Sequence, residues 1–141
     1  MMMLFQVIGA LLAVMSVAIT FGVPKKFLIY SGIVGAIGWF IYLIFKNAGS
    51  SIITSMFFAA LVVALISHSF ARIMKAPVTL FLISGILPLV PGVGMYRIAY
   101  NLITNNNTLA LYYFSETIQV AGMIALAIFI MDTIFRIFQK N

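Results

Sequence analysis

Long apolar runs separated by short polar stops organise this chain from end to end. The first run, Met3 to Val23, closes on Pro24-Lys25-Lys26, and the second, Phe27 to Phe45, closes on Lys46-Asn47-Ala48-Gly49-Ser50. The third, Ile52 to Ala71, ends at Arg72-Ile73-Met74-Lys75-Ala76-Pro77. The fourth extends from Val78 to about Ile103, and Asn105-Asn106-Asn107-Thr108 separates it from a fifth that reaches Ile134. A bilayer core of ~30 Å needs about 20 apolar residues per helical span, so each run has the length of one crossing. The pattern predicts an all-α, polytopic membrane helical bundle of about five transmembrane helices in a single transmembrane domain, 1–141. The spans fall near 3–23, 27–45, 52–71, 78–103 and 109–134.

Composition points the same way. Of 141 residues, 65% are hydrophobic and 7% charged, against about 25% charged in a soluble domain. So few charges cannot cover a water-soluble globule, and the surface is expected to face lipid. The eight Lys and Arg stand singly or in pairs at the ends of apolar runs. That is the distribution of membrane anchors and not of a phosphate-binding stripe, so no nucleic-acid partner is expected. With no cysteine, disulfides and thiolate metal sites are excluded; no metal and no cofactor are expected. No Lys or Arg precedes the first apolar run, so it lacks the basic start of a cleavable signal and is expected to be retained as a span.

Counting charges predicts an orientation. If all five runs cross, Lys25, Lys26, Arg72, Lys75, Arg136 and Lys140 share one side, and Lys46 and Arg97 the other. Cytoplasmic loops carry the Lys/Arg excess, which puts the N-terminus outside and the C-terminus inside. Were the fourth run a re-entrant dip, this asymmetry would nearly vanish.

The fourth run carries the most informative residues. Pro88, Pro91, Gly92 and Gly94 fall within seven positions of one another. Proline removes a backbone donor and collides with the preceding turn, while glycine lowers the cost of leaving helical dihedrals. The helix is therefore expected to break over Pro88–Gly94 near mid-membrane and to resume near Met95. Unwound backbone is tolerated in a bilayer only inside protein or beside a watery cavity, and broken helices of this kind form substrate sites in secondary transporters. Pro88, Pro91, Gly92, Gly94, Tyr96, Arg97 and Asn101 are the candidate substrate-binding residues. Arg97 would lie in the first turn of the resumed helix, where the helix N-terminus and the guanidinium both favour a carboxylate. Its alternative role is to snorkel to the outer interface.

The remaining polar residues each have two readings. Glu116 has no basic residue within one or two helical turns and shares a face with Tyr112 and Gln119. An ionisable group in a span is expensive, so Glu116 is a candidate for proton coupling or substrate contact, or else an interfacial cap. His68, Arg72 and Lys75 share one helix face, as a basic stripe or as a gate in which His68 carries a proton. Asp132 and Arg136 are spaced for a local ion pair. Ser31 with Gly35, and Gly32 with Ala36, form small-residue pairs that let helices approach closely. That packing interface serves either contacts within the chain or a second subunit, a homo-oligomer included. Trp39, Tyr42 and Tyr30 fit interfacial belt positions. No His-Glu-x-x-His, Gly-x-Ser-x-Gly or phosphate-cradling loop occurs, so no enzymatic activity is expected and there are no catalytic residues to name.

The stretch Ser69-Phe70-Ala71-Arg72-Ile73-Met74-Lys75-Ala76-Pro77-Val78-Thr79-Leu80-Phe81, continuing through Ile86-Leu87-Pro88-Leu89-Val90-Pro91-Gly92-Val93-Gly94-Met95-Tyr96-Arg97, resembles the C-terminal half of the threonine/serine exporter family. Gly22-Val23-Pro24-Lys25-Lys26-Phe27-Leu28 and Gly32-Ile33-Val34-Gly35-Ala36-Ile37-Gly38-Trp39 are similar to that family's first loop and second helix. The resemblance implies a small inner-membrane subunit that works with a larger integral-membrane subunit. Such pairs export threonine and serine, or dicarboxylates such as succinate, driven by the proton-motive force. The family motif falls on Pro88, Pro91, Gly92 and Tyr96. The chemistry alone leaves open a non-transporting membrane scaffold or regulatory subunit.

Overall fold

The structure, a computed structural model, describes residues 1–140, and all of its regular elements are helices. In chain order they are α1 (Met2–Thr20), α2 (Lys25–Asn47), α3 (Ile52–Met74), α4 (Thr79–Ile86), a 3-10 turn (Leu87–Leu89), α5 (Gly92–Ile103) and α6 (Asn107–Lys140). Four helices, α1, α2, α3 and α6, are long and apolar enough to cross a membrane. The pair formed by α4 with its 3-10 turn and α5 is a fifth candidate, bent by 46°. The side chain of Lys140, one of the basic residues counted for orientation, lies outside the described ones.

One device ends four of these helices. Gly22, Gly49, Lys75 and Asn105 all have positive φ, which reverses the chain after α1, α2, α3 and α5. In each case an amide just beyond reaches back to a carbonyl of the last turn: Val23 to Ala18 at 2.9 Å, Ser50 to Phe45 at 3.1 Å, Ala76 to Ala71 at 2.9 Å and Asn106 to Asn101 at 2.8 Å. These bonds satisfy carbonyls that a helix end leaves orphaned. Lys75 adopts this conformation without glycine's freedom. The starts of α3 and α6 are capped by side chains, Ser51 Oγ accepting from the Thr54 amide and Asn106 Oδ1 from the Leu109 amide.

The core lies where α2, α3 and α4 meet, around Val34, Val63, Phe81 and Leu89, all fully buried. Close approach there depends on glycines: a Cβ on Gly38 would collide with Val63, and one on Gly85 with Val34. Ser31 of α2 donates to the Leu80 carbonyl of α4 at 3.2 Å. The small-residue face of α2 is used within the chain, because Gly32 abuts Met15 and Gly35 abuts Val14, both of α1.

Helix α6 joins this bundle to α5. It packs along α3 on one side and along α5 on the other. Among the described residues, helix α5 packs on α6 and on no other helix. The hairpin α5–α6 therefore stands off from α1 and α2, and the space between is the feature that matters for function.

Candidate functional site

The prolines dictate where the fourth run breaks. Pro88 cannot donate a hydrogen bond to the Ser84 carbonyl, nor Pro91 to that of Leu87, and each ring crowds the carbonyl it fails to bond. The chain tightens into the 3-10 turn, extends at Val90 (ψ 131°) and turns at Pro91 (ψ 56°). Helix then resumes at Gly92, three residues earlier than Met95, because glycine permits irregular backbone without requiring it. Arg97 consequently sits in the second turn of α5 and not in the first. In that first turn the Gly92 amide bonds the Val90 carbonyl at 2.7 Å and the Met95 amide bonds Pro91 at 3.1 Å. The Val93 and Gly94 amides between them have no partner among the described residues.

This break forms one wall of a cleft of about 430 Å³. Pro88 and Val90 to Gly94 line it, with Arg97 from α5 and Glu116, Thr117 and Val120 from α6. The facing wall comes from the bundle: Gln6 of α1, Trp39, Tyr42 and Lys46 of α2, and Ile52 and Met56 of α3. The volume falls within the ~300–1,000 Å³ usual for small-molecule sites.

The cleft gathers three charged side chains, Lys46, Arg97 and Glu116. None of them forms an ion pair among the described residues. Instead, the Arg97 guanidinium lies over the Tyr113 ring, 5.1 Å from its centroid, and the Lys46 ammonium over Tyr42, at 5.5 Å. Stacking of this kind orients a cation and leaves its hydrogen-bond donors free.

Of the sequence candidates, Pro88, Pro91, Gly92, Gly94, Arg97 and Glu116 come together at the cleft. Tyr96 does not line it; it is exposed and stacks on Tyr100. Asn101 is buried, and its amide donates to the Arg97 carbonyl at 2.8 Å, within α5. His68 lies on α3 against the far end of α6. Its imidazole stacks on Phe135 with ring centroids 4.6 Å apart, and its Nε2 is 3.8 Å from Asp132 Oδ1. Asp132 also pairs with Arg136 at 2.8 Å, as their spacing predicts. Arg72 donates to the Phe135 carbonyl at 2.8 Å. The carboxylate partner of His68 was not legible from local spacing, since it comes from another helix.

Sequence reasoning also passed over Lys46, Gln6 and Thr117, and it read Trp39 and Tyr42 as belt residues although both line the cleft. Thr117 is the most telling omission. It is buried, and its Oγ1 has no hydrogen-bond partner. Leaving a buried hydroxyl unpaired costs about 1–3 kcal/mol. It stands against Gly94, where a Cβ would collide with that oxygen. The glycine at position 94 is thus explained by close approach of α5 to α6.

The model of one known family, described as Threonine/Serine exporter, ThrE, matches residues 6–134, nearly the whole chain. The chain belongs to this threonine/serine exporter family. It is thereby a multi-pass membrane protein of a transporter family, and the segment that holds the cleft lies wholly inside the match. No solved structure matches the chain.

Proposed function

We propose that this exporter-family chain is the small subunit of a secondary exporter, acting with a larger integral-membrane subunit and driven by the proton-motive force. It exports small carboxylate metabolites, threonine or serine in preference to a dicarboxylate such as succinate, and catalyses no covalent reaction. The observation that carries this reading is the cleft beside the broken helix, lined by Lys46, Arg97 and Glu116, none of which forms an ion pair among the described residues. Two cations suit a carboxylate. Glu116 suits an ammonium group and disfavours a second carboxylate, so the mixed set fits a zwitterion better than a dianion. A proton and a substrate ammonium would compete for Glu116, which is the simplest basis for exchanging one against the other. His68, paired with Asp132 at the other end of α6, is a second candidate on the proton path.

All five candidate spans cross the inner membrane in this reading, with the N-terminus outside and the C-terminus cytoplasmic. The cleft, bordered by Gln6 near the start of α1, Lys46 at the end of α2 and Ile52 at the start of α3, then lies towards the outer side. The alternative, a non-transporting scaffold, drew on the small-residue face of α2, and Met15 and Val14 cover Gly32 and Gly35 of that face within the chain.

Export assays with both subunits, either one and neither test the proposal. Efflux of threonine, serine or succinate only when both are present supports it. Efflux from this chain alone removes the two-component arrangement, and no efflux from the pair removes the transport reading.

A further inference from the structure

Hydroxyl groups on apolar helices ordinarily bond the carbonyl one turn back, as Ser16, Ser69, Ser84, Thr104 and Thr133 do here at 2.8–3.2 Å. Thr117 does not. Its Oγ1 makes no bond to Tyr113 one turn back and stands against Gly94, buried and unpartnered at the cleft wall. Ser67 is the other buried hydroxyl without a partner among the described residues, and it does not line this cleft. Beside Thr117, the first turn of α5 contributes the Val93 and Gly94 amides, which are also unpaired. An α-helix start carries roughly half a positive charge. Thr117 Oγ1 and these two amides, none with an acceptor among the described residues, thus lie on one short stretch of the wall, one turn before Arg97.

We propose that Thr117 Oγ1 and the Val93 and Gly94 amides form the carboxylate subsite of the cleft. This rests on the transport reading above and adds the residues that hold the anionic end of the substrate. Thr117 donates its hydroxyl proton to one carboxylate oxygen and the α5 amides reach the other. Arg97 neutralises the charge from the following turn, while the substrate ammonium is left towards Glu116, the residue before Thr117. The subsite exists because Gly94 has no Cβ: any side chain there would occupy the position of the Thr117 hydroxyl.

The test compares wild type, Thr117→Val and Thr117→Ser in everted membrane vesicles from cells expressing the full chain with its larger subunit. Uptake of labelled threonine is competed with threonine or with threoninol, which replaces the carboxylate by an alcohol. Val matches Thr in shape, so the α5–α6 contact is kept while the donor is lost. Thr117→Val is expected to weaken threonine competition about ten-fold, to leave threoninol competition unchanged, and to be rescued by Thr117→Ser. Unchanged threonine competition in Thr117→Val overturns the proposal, and so does an equal loss for threoninol, which would show that the hydroxyl acts elsewhere than on the carboxylate. If wild-type vesicles take up neither threonine, serine nor succinate, the transport reading itself falls, and the subsite with it.

Discussion

Arg97 of α5 and Glu116 of α6 line the same cleft from the two arms of one hairpin, yet they do not pair with each other. Opposite charges close together in a low-dielectric setting attract strongly. Keeping them apart leaves both available to a ligand that carries one charge of each sign. Tyr113 assists by holding the Arg97 guanidinium over its ring at 5.1 Å.

Arg97→Ala is expected to abolish export while membrane insertion and assembly remain normal. Arg97→Lys should retain part of the activity, because it keeps the charge and loses the planar fork. A loss of at least ten-fold in threonine efflux, about 1.4 kcal/mol, is the threshold to look for. Normal efflux from Arg97→Ala takes this residue out of the site.

Glu116→Gln is expected to weaken threonine and serine at least ten-fold and to flatten the dependence of export on the proton gradient. Binding of succinate should be unchanged or improved, since the carboxylate that repels a dianion is gone. Competition assays with the three compounds, at several external pH values, check both halves. Threonine affinity and pH dependence equal to wild type would separate Glu116 from substrate and proton alike.

Gly92 and Gly94 lie two residues apart and should behave differently. A Cβ on Gly92 meets nothing within 4 Å, so Gly92→Leu should fold and assemble while obstructing the cleft and stopping export. On Gly94 the added atoms collide with Thr117, so Gly94→Leu should push α5 off α6 and lower stability, by about 1–3 kcal/mol for an overpacked contact. Thermal unfolding in detergent beside efflux distinguishes the two. Because the chain has no cysteine, Gly92→Cys also gives a single thiol, and threonine should slow its labelling by a maleimide.

His68 and Asp132 interact across α3 and α6, with Nε2 and Oδ1 3.8 Å apart. If they lie on the proton path, they act there as one unit. His68→Gln and Asp132→Asn should then alter the pH dependence of export alike, and the double variant should add nothing further. Asp132 is part-exposed, so Asp132→Asn should change stability by less than about 1 kcal/mol. Additive effects in the double variant would assign the two residues separate roles.

The sequence by itself determined the all-helical build, the apolar character of the long helices and the proline break in the fourth run. All of these follow from local properties: the apolar length of a bilayer crossing, the missing donor of proline, the rarity of charge. It also placed Asp132 and Arg136 together, because i, i+4 spacing is a local matter. Tertiary structure alone decided which residues share the cleft. Lys46 and Gln6 lie far from Arg97 along the chain and meet it only because α5 packs on α6 and stands away from α1 and α2. The same holds for His68 with Asp132, for Thr117 with Gly94, and for the burial of Gly35 against Val14. Helix periodicity specifies which side chains share a face, whereas the choice of facing helix depends on packing between segments distant in sequence, which no local pattern encodes.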